Sequence, residues 1–271
     1  MSSAIREWLN FAFRWFHVFA GILWVGQTYY FTWLDGQFSK AGKNATSEKP
    51  SAVWMLHSGG FYTVEKQKSL GVAPELVRWF RWEALLTWLS GLVLLVLVYY
   101  LSSGLIDPDV AAISQGRGIA IGVAVLVGGW VIYDFAVRSF LAKSDTVFVV
   151  FAFVMTAAIS WGLLHVFSAR AAYLHVGAVY GTIMTINVWM RILPAQRRMI
   201  AAAAKGGAFD PKLSAQAKLR SKHNTFMAVP VVFLMISNHY PVATYGSAYS
   251  WETLLALVVV GWLAAKAIRS A

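Results

Sequence analysis

Apolar runs of bilayer-spanning length recur along this chain, and they leave it very few ways to fold. The first, Phe11–Trp33, reads FAFRWFHVFAGILWVGQTYYFTW and carries one charged residue, Arg14. A helix rises about 1.5 Å per residue, so roughly 20 such residues span a hydrocarbon core about 30 Å thick. No water is available there to satisfy backbone N–H and C=O groups, so each run must cross as an α-helix. Only 13% of the residues are charged and 58% are hydrophobic, whereas a soluble domain carries roughly 25% charged residues. The expectation is an all-α, polytopic transmembrane helix bundle of about seven spans. They fall at 8–34, 79–101, 117–139, 145–167, 170–193, 223–241 and 251–268. Tryptophan and tyrosine crowd several of their ends, for example Trp8, Trp79, Tyr99, Tyr100, Tyr240 and Trp251, as an interfacial belt requires.

The formal net charge is +11, which taken alone could suggest a nucleic-acid partner. Its distribution argues otherwise. With seven spans, 19 of the 23 lysines and arginines fall on the side of the first, third and fifth loops and the C-terminus. The positive-inside rule then predicts a multi-pass protein of a bacterial inner membrane, with the N-terminus periplasmic and the C-terminus cytoplasmic. The basic charge sets topology, and no nucleic acid is implied. Residues 1–271 read as one membrane domain with two long cytoplasmic loops, 35–78 and 194–222. There is no cysteine, which excludes disulfides, thiolate zinc sites, iron–sulfur clusters and covalent haem attachment.

His17 shares one helical stripe with Gly21, Trp24 and Thr28, at i, i+4, i+7 and i+11. An ionisable side chain inside a span is a functional hypothesis by default. On the predicted topology His17, His165, His175 and His239 all lie in the outer half of the membrane, on four different helices. Neutral imidazole ligates haem iron and copper, and facing helices are where bundles build such sites. These four histidines are therefore candidate metal ligands, for haem b or alternatively copper. Interhelical hydrogen bonding is the structural alternative for each of them. Asp134 precedes Arg138 by four residues, a favourable helical ion pair, and Glu83 follows Arg78 and Arg81 closely enough to pair with them. Pro230 is expected to kink the sixth span.

Five blocks in order are more specific: RWFHVFAGILWVG, HSGGFYTVEK, WFRWEALLTWLSG, RAAYLHVGAVYGTIMTINVWMRILPAQ and SKHNTFMAVPVVFLMISNHYP. Together they resemble the membrane-integral urate oxidase family, the bacterial urate hydroxylase type, from the first span through the sixth. The resemblance implies oxidation of urate to 5-hydroxyisourate, with oxygen from water and electrons passed to cytochrome c. Members often carry a C-terminal cytochrome c domain. No CxxCH stands in this sequence, so a separate cytochrome c or other periplasmic acceptor is the expected partner. A non-catalytic haem-binding electron-transfer subunit is the alternative.

Urate is a planar anion, so a site for it needs a cation, an aromatic face and hydrogen-bonding groups. Arginine serves best, because its fork is bidentate and stacks. Under this reading Tyr62, Lys66, Arg78 and Arg81 are the expected substrate-binding residues. His57 and Glu83 are the expected catalytic proton acceptors, and Gly59–Gly60 could present backbone N–H groups to an anion.

Overall fold

The computed structural model describes residues 2–43, 52–66, 78–208 and 210–270. The described residues form a helical bundle carrying a β-hairpin. In order the chain forms α1 (Ser3–Lys43), β1 (Ala52–His57), β2 (Gly60–Glu65), α2 (Trp82–Leu95, prolonged by a π-helical turn, Val96–Tyr100) and α3 (Gln115–Arg138). There follow α4 (Asp145–Leu164), α5 (Ala169–Ile186), a second π-helical turn (Asn187–Ile192), α6 (Leu193–Ala204), α7 (Pro211–Ile236) and α8 (Ser250–Ser270).

Local sequence explains where the helices start and stop. Ser114, Ser144 and Ser168 each accept a hydrogen bond from the third residue beyond them, and Asp210 accepts from the Lys212 N–H ahead of Pro211. These caps satisfy donors that a helix start leaves orphaned. At the end of α6, Gly206 takes a φ of +69°. Its N–H donates to the Ala203 carbonyl and that of Gly207 to Ala202, the glycine-terminated Schellman arrangement.

Among the described residues, five helical stretches are long and apolar enough to cross a membrane: Trp82–Tyr100, Gln115–Arg138, Asp145–Leu164, Ala169–Ala204 and Ser250–Ser270. The chain is therefore a membrane protein of the helical class. The first and sixth predicted spans coincide with α1 and α7, which fall outside that group of five. Polar and basic residues fill the first half of α7, and Pro230 lies inside it. At 41 residues, α1 is about 60 Å long, well beyond a hydrocarbon core.

Helix α5 is the hub. Tyr173, His175, Val176, Val179 and Ile183 are almost wholly buried, because α2, α3, α4 and α7 all pack on it. Close approach depends on glycine on the facing helix: a Cβ at Gly129 of α3 would lie 2.8 Å from Val179. Around this hub α1 packs on α2, and α7 on α8. Pro230 sits with its ring against Gly261 of α8, where a Cβ would come within 2.7 Å.

The two predicted loops are largely structured. Within 35–78, α1 continues to Lys43 and the hairpin occupies 52–65, while 44–51 and 67–77 lie outside the described residues. Within 194–222, α6 and the start of α7 leave a short connection. The hairpin turns on Ser58 and Gly59, both with positive φ, as a two-residue hairpin loop demands.

Candidate functional site

The π-helical turn Asn187–Ile192 organises the charged interior. A π turn inserts an extra residue into an α-helix and re-aims the side chains that follow. Here Trp189 turns toward the start of α2, while Asn187 and Arg191 turn toward α3.

On the α2 side, the Trp189 indole N–H donates to the Arg81 carbonyl at 3.3 Å. The Trp189 ring meets Trp82 edge-on, with centroids 5.6 Å apart. The Arg81 guanidinium lies 5.3 Å from the Trp82 centroid and 5.8 Å from that of Trp189. Next to it Glu83 is buried, at 9% exposure. Its Oε1 accepts from Arg78 Nη2 at 2.9 Å. Its Oε2 is buried and has no hydrogen-bond partner among the described residues, and the same holds for Arg81 Nε. Buried polar groups are nearly always paired, so two orphans on neighbouring side chains mark a place built for something else.

On the α3 side, three guanidiniums converge on the Asp134 carboxylate. Arg191 donates to it through Nε at 2.8 Å and Nη2 at 2.6 Å. Arg220 of α7 donates through Nη2 at 2.7 Å, and Arg138 completes the set. The network continues inward. Arg220 Nη1 donates to Asn187 Oδ1 at 3.0 Å. Asn187 Nδ2 donates to Asn224 Oδ1 and to the Tyr133 hydroxyl, each at 3.0 Å. That hydroxyl lies 2.9 Å from His223 Nδ1, and His223 stacks on Phe148 with centroids 4.4 Å apart.

The sequence-predicted residues divide into groups. Arg78, Arg81 and Glu83 are brought together, Arg78 being the one that pairs with the carboxylate. Lys66 instead pairs with Asp35 of α1. Tyr62 is exposed on β2, with its ring over Gly60, and His57 is exposed at the end of β1. Among the described residues no hydrogen bond, ion pair or ring contact joins these three to Glu83. The hairpin does border the same region, since Tyr30 of α1 donates to Met55 Sδ at 3.1 Å and Phe31 packs on Phe80 at 4.9 Å.

The stripe of His17 faces α2. His17 Nδ1 donates to the Thr87 carbonyl at 2.9 Å, with Ser90 Oγ at 3.0 Å, and the ring lies against Gly91. His175 Nδ1 donates to the Ala171 carbonyl at 2.7 Å, and Nε2 faces the Tyr100 hydroxyl at 3.2 Å. Each ring is thus fixed through Nδ1, and the Nε2 of His175 is already engaged by Tyr100. Among the described residues no hydrogen bond or ring contact joins any two of His17, His165, His175 and His239. His165 donates to the Trp161 carbonyl at 2.7 Å near the end of α4, and His239 is exposed beyond α7. No group of three or more His, Asp or Glu able to hold a metal ion occurs among the described residues.

Arg220, His223 and Asn224 did not stand out as site residues in the sequence. Their spacing (i, i+3, i+4), just ahead of an apolar stretch, was the available signal that one polar face of α7 turns inward.

Fold and site together define a polytopic helical membrane protein with a polar, arginine-rich interior near one end of the bundle. Residues 3–269 match the family described as urate oxidase N-terminal, and the chain belongs to that family. No curated protein and no solved structure matches it.

Proposed function

We propose that the chain is a membrane urate oxidase that converts urate to 5-hydroxyisourate and passes the electrons to a cytochrome c. Family membership across almost the whole chain supports a urate-related oxidoreductase. The observation that carries the site is Glu83 Oε2, buried and unpartnered beside an unpartnered Arg81 Nε. The Arg81 guanidinium itself lies over the rings of Trp82 and Trp189. A planar purine anion has the complementary chemistry: negative charge for Arg78 and Arg81, a π-face for an indole, and ring N–H groups for a carboxylate.

In this reading Arg78 and Arg81 hold the urate anion, and Glu83 Oε2 accepts a proton from a ring nitrogen as electrons leave. Water adds at C5. Urate monoanion and water give 5-hydroxyisourate, one proton and two electrons, which reduce two ferricytochromes. A haem or copper ion would supply a one-electron step between substrate and cytochrome, with His17, His165, His175 and His239 as its candidate ligands. His57, Tyr62 and Lys66 belong to the substrate's approach rather than to the proton transfer. All seven predicted spans cross the membrane in this proposal, α1 and α7 included. The arginine-rich end then faces the cytoplasm, where most of the lysines and arginines fall.

Urate-dependent reduction of added cytochrome c by the purified chain tests the reaction. A visible spectrum and metal analysis of wild type beside His17→Ala tests the electron acceptor. Absence of urate turnover with any cytochrome would refute the assignment. Absence of both Soret absorption and bound metal would remove the histidine step.

A further inference from the structure

We propose that the Asp134 cluster is the floor of a binding site for the phosphate headgroup of an anionic phospholipid. Three guanidiniums share one carboxylate, so the cluster carries two positive charges beyond what Asp134 neutralises. Excess charge at this depth is costly unless an anion answers it.

Exposure shows where such an anion would sit. The Arg220 side chain is buried at 5%, that of Arg191 is 32% exposed, and that of Arg138 is 62% exposed. The cluster therefore opens outward through Arg191 and Arg138. Arg191 also lies 6.0 Å from the Trp130 ring, whose indole N–H is buried and has no partner among the described residues. An anion at this mouth would meet two guanidiniums with donors to spare.

The neighbouring surface selects a lipid over a free anion. Val123, Val127, Val131 and Phe135 form an exposed apolar row along α3, at the four-residue spacing of one helical ridge. Arg138 stands two turns beyond Val131 on the same side. An acyl chain along that row would place its phosphate at Arg138. Basic pockets between spans at the membrane surface are a known way of holding phospholipid headgroups. The cluster lies where α3 and α5 end and α7 begins, so the leaflet concerned is the one at that end of the bundle.

The test uses the full chain in detergent and reads the rise in unfolding temperature on adding phosphatidylglycerol, phosphatidylcholine or inorganic phosphate. Phosphatidylglycerol should stabilise with a saturable dose response, and the other two should not. Arg138→Gln should shift the half-saturating dose upward about fivefold, the value of one surface arginine toward anionic lipid. Arg138→Lys should restore most of it. Lys266→Gln, at the exposed end of α8 on the same side, should leave it unchanged. Equal stabilisation by phosphatidylcholine would overturn the site, as would full stabilisation by inorganic phosphate alone or equal losses in Arg138→Gln and Lys266→Gln. The comparison is of lipid-induced shifts, so a lower starting stability in one variant does not disturb it.

Discussion

Arg220 Nη2 of α7 donates to Asp134 Oδ1 of α3 across 2.7 Å, and both side chains are at least 95% buried. This ion pair ties together two helices far apart in the chain. Removing one partner leaves the other charged and dry, which typically costs ~3–5 kcal/mol. Asp134→Ala is therefore expected to lower the unfolding temperature sharply in detergent. Adding Arg220→Met to it should recover part of the loss, because the stranded charge goes too. An unchanged transition for Asp134→Ala would show that the cluster carries no structural weight.

Glu83→Gln separates chemistry from packing. The amide keeps the size of the carboxylate and can still accept from Arg78, but it cannot take up a proton. Positioned acid–base groups contribute roughly 10²–10⁴-fold. Urate turnover should fall by that order while the unfolding temperature stays close to wild type. A variant that keeps full turnover removes Glu83 from the reaction.

Gly261 and Gly128 make a matched pair. A Cβ at Gly261 would lie 2.7 Å from the Pro230 ring, whereas nothing stands within 4 Å of one at Gly128. Overpacking in an interior costs ~1–3 kcal/mol, and an open helical glycine replaced by alanine gains about 0.5–1 kcal/mol. Gly261→Ala should destabilise and Gly128→Ala should not. Equivalent melting curves would mean that α7 and α8 can slide to accommodate a methyl group.

Tyr133→Phe tests the inner part of the network. Its hydroxyl accepts from Asn187 Nδ2 and lies beside His223 Nδ1. Leaving buried polar partners unsatisfied costs about 1–3 kcal/mol. Denaturant unfolding should register that loss, and a double-mutant cycle with His223→Phe should show coupling between the two positions. Strict additivity would contradict the hydrogen bond.

Much of this was legible without coordinates, for reasons tied to particular residues. The stripe of His17, Gly21 and Trp24 faces α2 because helical spacing alone puts these residues on one side. Asp134–Arg138 and Arg78–Glu83 formed as their sequence separations suggest. The second and third partners of Asp134 were another matter. Arg191 and Arg220 stand 57 and 86 residues from it, and no local period links such positions. Nor does a local signal announce the π turn that aims Trp189 one way and Arg191 the other.

The sequence by itself determined that this is a helical membrane protein of the urate oxidase N-terminal family. Long apolar runs permit only helices in hydrocarbon, because every backbone group must be paired within the segment. It also sets several helix starts and one helix end, since capping serines and a terminal glycine act within a few residues. Only the tertiary structure decided which buried charges meet, which carboxylate oxygen stays unpaired and which arginines reach the surface. Those are properties of side chains on different helices, and packing around α5, together with one extra residue in a helical turn, sets their distances.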